Sequence, residues 1–130
     1  MKVALTGATG FLGRYLADNI VNNGTGLRAW YRPKSDRAGM SEKIEWVSWQ
    51  LGSTDDCLNL IDGCDAVVHS ALSHPGGGFR NREGDLIGFL KINLIGTIEL
   101  IEQAYLKGIK KFIFISSCAV HDKILSDRPL

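Results

Sequence analysis

Short apolar runs alternate along this chain with longer segments in which apolar residues recur every three or four positions. The short runs are bounded by glycine or proline turns and predict five strands, at 3–5, 27–31, 44–49, 66–68 and 112–115. The longer segments predict helices at about 11–22, 53–61 and 85–107. A glycine-rich loop is expected over residues 73–84, before the last helix.

This alternation of strand and helix predicts an α/β fold, with a doubly wound parallel sheet of about five strands and helices on both faces. In such sheets, ligands bind beyond the carboxyl ends of the strands, at the point where the strand order reverses. The residues that follow each strand are therefore the first candidates for a site. A chain of 130 residues suits a single domain.

The sequence TGATGFLG, residues 6–13, lies between the first predicted strand and the first predicted helix. Gly7 allows a tight turn, Gly10 lets backbone approach a pyrophosphate, and Gly13 lets the helix pack closely on the sheet. The free amides and dipole of the helix N-terminus favour an anion there. An ordinary glycine turn is the alternative, but the position between strand and helix favours dinucleotide binding. A P-loop is excluded because the GxxxxGKS/T pattern does not occur.

Composition narrows the class of partner. The formal net charge of +1 gives no basic footprint for nucleic acid or a membrane surface. Three scattered cysteines without a CxxC pair favour neither a disulfide framework nor a zinc site, and His69, His74 and His121 lack metal-ligand spacing. The chain contains no apolar run of about 18 residues, and Met1-Lys2 leads straight into a strand. We therefore expect no membrane span, no secretory leader and a cytoplasmic location.

Four segments, in order, resemble the extended short-chain dehydrogenases/reductases of the NAD-dependent epimerase/dehydratase family. They are TGATGFLG (6–13), IDGCDAVVHSA (61–71), INLIGTIELIEQA (92–104) and KKFIFISSCAVH (110–121). YRPKSDR (31–37) is similar to the segment after strand two in reductase-like members, such as the dihydroflavonol reductases. The resemblance implies a Rossmann-like fold and an NAD(P) coenzyme.

The resemblance also implies which residues bind that coenzyme. Asn93 matches a helix asparagine, and bonding of its amide to the coenzyme or to backbone is favoured over simple packing of that amide. At the adenine, the family commonly has an acidic residue where this chain has Gln50. The implied set is Gly7, Thr9, Gly10, Phe11, Leu12, Gly13, Arg32, Arg37, Gln50, Leu51, Ser70, Ala71, Leu72 and Asn93.

The choice of coenzyme depends on the end of the second strand. NAD sites place a carboxylate there for the ribose 2′-hydroxyl, whereas NADP sites need a cation for the 2′-phosphate. Arg32 follows the strand, Lys34 and Arg37 follow closely, and residues 24–35 contain no Asp or Glu. A planar guanidinium suits a phosphate, so NADP is predicted, with NAD as the alternative.

The resemblance places catalysis partly outside these residues. Ser117 matches the serine that binds the reacting oxygen, but the family's YxxxK pair is absent, since Tyr15, Tyr31 and Tyr105 have no lysine four positions on. We therefore expect the chain to be the N-terminal part of a longer enzyme, inactive alone. A dinucleotide sensor without catalysis is the alternative, because fold alone does not decide function.

The resemblance leaves the reaction open among epimerase, dehydratase and reductase. It implies a small-molecule substrate, either a nucleotide-sugar or a small carbonyl compound. Members of the family often dimerise through the long helix, and Leu86, Ile87, Phe89 and Leu90 make that helix apolar on more than one side. A homodimer is therefore compatible with the sequence, although burial against the sheet explains many of the same residues.

Overall fold

The strands lie side by side in one parallel sheet. A computed structural model of the chain describes residues 1–48, 53–73 and 85–117. Within those residues the sheet has five strands in the order β3-β2-β1-β4-β5. They are β1 (Lys2–Thr6), β2 (Gly26–Tyr31), β3 (Ile44–Ser48), β4 (Ala66–His69) and β5 (Lys111–Phe114). The strand order reverses between β1 and β4, so a crevice is expected at their carboxyl ends.

The helices begin and end close to the positions that periodicity predicts, with one exception. Helix α1 spans Phe11–Asn22, α2 spans Thr54–Ile61 and α4 spans Gly96–Leu106. The predicted helix at 85–107 is not uniform. It contains α3 (Leu86–Leu90), then a π-helical turn over Lys91–Ile95, then α4. The single α-helix predicted there is therefore wrong in its middle turn.

Side chains account for the wider turn. Asn93 Nδ2 donates to the carbonyl oxygen of Phe89 at 3.0 Å, and the Thr97 hydroxyl donates to the carbonyl oxygen of Asn93. Both carbonyls are thus bonded by a side chain four residues on. Such turns are frequent at functional sites, and a pattern of apolar spacing does not reveal them.

The two faces of the sheet carry separate cores. Alternate residues of a strand point to opposite faces, so Val3 and Leu5 pack with α1 while Ala4 packs with α2 and α4. Trp30 is buried on the second face. Both faces are covered, as the near-continuous apolar strands predict. Of the helices that the structure describes, none is long and apolar enough to cross a membrane.

Candidate functional site

The turn after β1 is built from bare backbone. Gly7 has a φ of +74°, in the left-handed region that favours glycine. A Cβ at this position would lie 2.8 Å from the amide nitrogen of Ala71 and 2.9 Å from the carbonyl oxygen of Ser70. The turn therefore lies directly against the residues that follow β4. A larger residue at position 7 would separate β1 from that segment.

The absence of a side chain at Gly10 and at Gly13 has a different structural reason at each position. A Cβ at Gly13 would lie 1.9 Å from the carbonyl oxygen of Gly7, which no local adjustment can accommodate. The close approach predicted for Gly13 is therefore made to the turn after β1. A Cβ at Gly10 would meet only the Gly7 carbonyl oxygen, at 3.2 Å. Gly10 is exposed, so the space beside it is open to a ligand.

The N-terminus of α1 is available to an anion. Gly10 is the N-cap and supplies no side-chain hydrogen bond, and the first turn contains no acidic residue. The first amides of a helix have no partner within the helix, and the helix dipole adds positive potential beside them. Phe11 and Leu12 contribute backbone amides to this turn, while their side chains are 87% and 44% exposed. The arrangement suits a phosphate group.

A cavity of about 990 Å³ opens beside this turn, at the carboxyl ends of the strands. Many predicted coenzyme ligands line it, namely Gly7, Thr9, Gly10, Arg32, Ser70, Ala71 and Leu72. It is also lined by residues that the sequence analysis did not assign to the coenzyme, namely Trp30, Pro33, Ser35, Ser48, Asp56, Asn59, Ser73 and Ile92. Asp56 and Asn59, three positions apart on α2, share one face of that helix. The polarity of these two side chains is a signal of a candidate site in the sequence. Which face of α2 meets the cavity depends on packing, which the sequence does not show.

Arg32 also lines a smaller cavity. This cavity of about 550 Å³ is also lined by Thr9, Lys34, Ser35 and Asp36. The Ser35 amide donates to the Arg32 carbonyl oxygen at 2.8 Å, and the Arg32 amide donates to Ser35 Oγ at 3.1 Å. This tight turn directs the chain away from β2 directly after Arg32. The Arg32 side chain is exposed, as binding of a ligand phosphate requires.

Arg37, predicted as a second coenzyme ligand, lies elsewhere. Its guanidinium carbon is 4.3 Å from the centre of the Tyr31 ring and 5.5 Å from that of Trp46. Arg37 is absent from the described residues that line either cavity. Cation–π stacking on two rings holds Arg37 against the sheet edge, and its role as a coenzyme ligand stays a prediction.

Arg14, which no sequence motif indicated, joins α1 to the loop after β2. Its guanidinium donates to the carbonyl oxygen of Ala38 at 2.9 Å and to that of Asp36 at 2.6 Å. It also lies 3.5 Å from the Asp36 carboxylate. A forked guanidinium suits this multiple contact. Arg14 therefore holds the middle of the loop that begins with Arg32.

The segment after β4 is held at both ends. The amides of Ser70 and Ala71 each donate to Thr6 Oγ1 at 3.1 Å. Farther on, the Ser73 amide donates to Asn93 Oδ1 at 2.7 Å, and Asn93 Nδ2 donates to the Ser73 carbonyl oxygen at 2.8 Å. The Asn93 amide is therefore bonded to backbone rather than simply packed.

His69 is buried beneath this segment and is 2% exposed. Burial lowers the pKa of its imidazole from 6.5 to about 4, so the ring is neutral near pH 7. Its ring nitrogens lie 2.6 Å from Thr6 Oγ1 and 2.8 Å from Thr97 Oγ1. His69 is therefore a core residue of the sheet.

The remaining predicted residues lie at the margin of the described chain. Ser117 follows β5 by three residues and is exposed. Because β5 pairs with β4, Ser117 lies at the same end of the sheet as the cavity. Gln50 and Leu51, the predicted adenine contacts, lie outside the described residues.

The sequences of known proteins align with this chain over nearly its whole length. The uncharacterized sugar epimerase YhfK of Bacillus subtilis (strain 168) is 31% identical over 126 residues, covering 95% of this chain and 56% of the relative. GDP-mannose 3,5-epimerase 1 of Oryza sativa subsp. japonica is 27% identical over 124 residues, covering 93% of this chain and 32% of the relative. The chain thus spans between about a third and about half of these relatives.

Solved structures agree with the fold. A uronate dehydrogenase from Agrobacterium tumefaciens, crystallised with NAD, is 26% identical with a TM-score of 0.70. The match covers 89% of this chain and 40% of that protein. The profile described as "NAD dependent epimerase/dehydratase family" matches residues 3–128. With its parallel sheet, glycine turn and cavity at the switch point, this chain belongs to the NAD-dependent epimerase/dehydratase family.

Proposed function

We propose that this chain is the coenzyme-binding domain of an NADP-dependent oxidoreductase of the epimerase/dehydratase type. The observation that carries the proposal is the bare backbone at Gly7 and Gly10, which leads into an uncapped helix N-terminus beside a cavity of about 990 Å³. When bound, the nicotinamide would exchange a hydride with a hydroxyl or carbonyl substrate. A nucleotide-sugar is the favoured substrate class, because relatives named as sugar and GDP-mannose epimerases share this sequence.

The residues present fit a dinucleotide. The pyrophosphate would bind at Gly10 and the first amides of α1, where the N-cap residue has no side chain to compete for those amides. The segment after β4 would lie along the coenzyme, because Ser70, Ala71 and Leu72 line the same cavity. Thr9 lines both cavities, which makes it a candidate to contact the coenzyme between its phosphates and its adenosine.

The preference for NADP over NAD rests on charge at the smaller cavity. Arg32 and Lys34 both line it and would bind a 2′-phosphate. The Asp36 carboxylate lies in the same lining and would repel that phosphate, but Arg14 is paired with it. NAD stays the alternative, since the uronate dehydrogenase relative was solved with NAD.

The matched relatives are longer than this chain, so we propose that substrate chemistry takes place in a longer protein that includes these residues. We assign Ser117 as the ligand of the reacting oxygen, because it follows β5 at the same end of the sheet as the cavity. The tyrosine and lysine of the family would complete the acid–base pair in the remainder of that protein. In it, residues 1–130 would form the coenzyme domain.

The first test is a titration of the chain with NADPH and NADH, followed by nicotinamide fluorescence, for the wild type and for Arg32→Gln. Loss of a charged hydrogen-bond partner should weaken NADPH binding about tenfold and NADH binding about twofold or less. Arg37→Gln is the matched control, since Arg37 stacks on Tyr31 and should leave both affinities within about twofold.

Two results would count against the proposal. Equal losses of NADPH and NADH affinity in Arg32→Gln would remove the assignment of NADP. Failure of the folded wild-type chain to bind either nucleotide would remove the assignment of this cavity to a dinucleotide.

A further inference from the structure

His69 is the one buried histidine of the described chain, and both its ring nitrogens are hydrogen-bonded. Nδ1 lies 2.6 Å from the hydroxyl of Thr6 on β1, and Nε2 lies 2.8 Å from the hydroxyl of Thr97 on α4. The rings of Phe112 and Phe114 on β5 pack beside the imidazole, with centroids 6.3 and 5.6 Å away. The ring thus joins three strands to a helix.

The hydrogen bonds around the Thr6 hydroxyl allow only one direction for its proton. Its oxygen already accepts two hydrogen bonds, from the amides of Ser70 and Ala71 at 3.1 Å each. A hydroxyl oxygen has two lone pairs and one proton. Because both lone pairs are engaged, the proton is directed to His69 Nδ1, which must be an acceptor.

The hydroxyl of Thr97 determines whether the other ring nitrogen of His69, Nε2, carries a proton. It donates to the carbonyl oxygen of Asn93 in the π-helical turn, so it has only lone pairs to offer His69. Nε2 therefore carries the proton and donates it to Thr97. One tautomer of a neutral imidazole, protonated at Nε2, satisfies every group in the series.

We propose that the Thr6–His69–Thr97 chain positions residues 70–73 for the coenzyme, with His69 as the neutral Nε2–H tautomer. This inference rests on the proposed function, because that segment lines the cavity assigned to the dinucleotide. Thr6 holds its beginning, and Asn93, whose carbonyl binds Thr97, holds Ser73 at its end. Movement of the segment would also disturb the turn at Gly7, which has no space for even a Cβ against Ser70 and Ala71.

The affinity test uses pairs of variants that remove or keep a hydroxyl. Thr6→Val and Thr97→Val remove it at similar volume, whereas Thr6→Ser and Thr97→Ser keep it. Each valine variant should weaken NADPH and NADH in the same proportion, by about tenfold, because buried polar partners lose their bonds. Each serine variant should remain within about threefold of the wild type. Thermal unfolding of every variant identifies any that fails to fold.

The tautomer is measured independently of the coenzyme, on the wild-type chain labelled with ¹⁵N-histidine. Long-range ¹H–¹⁵N NMR spectra distinguish Nε2–H from Nδ1–H, and the His69 signals are assigned by their loss in His69→Gln. We expect the Nε2–H form. This measurement decides the hydrogen-bond direction even if the Thr6→Val variant does not fold.

Three outcomes would overturn the inference. They are an Nδ1–H tautomer, valine variants that fold and bind both nucleotides as the wild type does, and serine variants as weak as the valine ones. Failure of the proposed function looks different. It appears as an absence of binding in the wild type, or as equal losses of NADPH and NADH affinity in Arg32→Gln, which leave the ratio of the two affinities unchanged from the wild type. The Thr6 and Thr97 variants should keep the wild-type ratio of NADPH affinity to NADH affinity.

Discussion

Gly10 and Gly13 differ in what their missing side chains protect. At Gly13 the absent Cβ makes room for the protein itself, because the Gly7 carbonyl oxygen would lie 1.9 Å from it. At Gly10 the absent Cβ makes room for something outside the fold, since a Cβ there would have a single neighbour, the Gly7 carbonyl oxygen, at a close 3.2 Å. The same residue type thus serves folding at one position and, under the proposed function, binding at the other.

Alanine at these two positions should therefore separate stability from binding. We expect Gly10→Ala to unfold within about 1 kcal/mol of the wild type yet bind NADPH at least about tenfold more weakly, because its methyl occupies the phosphate cradle. Gly13→Ala should lose about 2 kcal/mol or more of unfolding free energy, because helix α1 must move. Urea unfolding and NADPH titration provide the two readouts. A Gly10→Ala chain that binds normally would contradict the cradle assignment.

At the scale of elements, the loop between β2 and β3 depends on α1. Arg14 on α1 bonds the carbonyl oxygens of Asp36 and Ala38 and faces the Asp36 carboxylate. An exposed ion pair alone contributes little, about 1 kcal/mol or less. The two hydrogen bonds to carbonyl oxygens fix the position of the guanidinium, so α1 braces the loop that carries Arg32. Under the proposed function, the same helix also offers its first amides to a phosphate.

The bracing predicts an effect on NADPH without direct contact. Arg14→Gln should weaken NADPH about fivefold, because the loop loses its support and the Asp36 charge loses its partner. Asp36→Asn is the matched variant. It keeps Arg14 and removes the carboxylate, so it should bind NADPH as well as or better than the wild type. Fluorescence titration measures both, and weaker binding by Asp36→Asn would show that the carboxylate helps the site.

At the scale of the whole molecule, stability depends on pH through His69. Its folded-state pKa of about 4 lies below the ordinary value of 6.5, so the unfolded chain binds the proton more readily. The resulting stability is fully present above about pH 6.5 and is lost as the pH falls toward 4. Hydrogen bonding from Lys2 lowers the pKa of Glu45 below 4.5, which adds a separate loss at lower pH.

Urea unfolding should show this loss directly. Between about pH 7.5 and pH 4.5 we expect the free energy of unfolding to fall by about 2 to 3 kcal/mol through His69. His69→Gln should start less stable and fall less over the same range. His74→Gln and His121→Gln provide matched histidine controls. An unchanged slope in His69→Gln would mean that another group causes the loss.

Much of the fold could be predicted from pattern alone. Strands and helices form where runs and periodicity place them, with ends shifted by one or two residues, because burial on a two-sided sheet requires continuous apolar strands. The π-helical turn at Lys91–Ile95 could not be predicted, since it depends on hydrogen bonds from Asn93 and Thr97. The stacking of Arg37 on Tyr31 shows the same limit, because it depends on how the loop after β2 packs against the sheet.

The sequence by itself determined the parallel sheet, the glycine turn after its first strand and the family, because these depend on residue type and spacing along the chain. The tertiary structure decided which side chains meet at the site. Arg14 reaches a loop 22 residues away, and His69 joins residues 63 and 28 positions distant. Such contacts depend on how the strands are ordered and how the helices pack against them, which spacing along the chain does not specify.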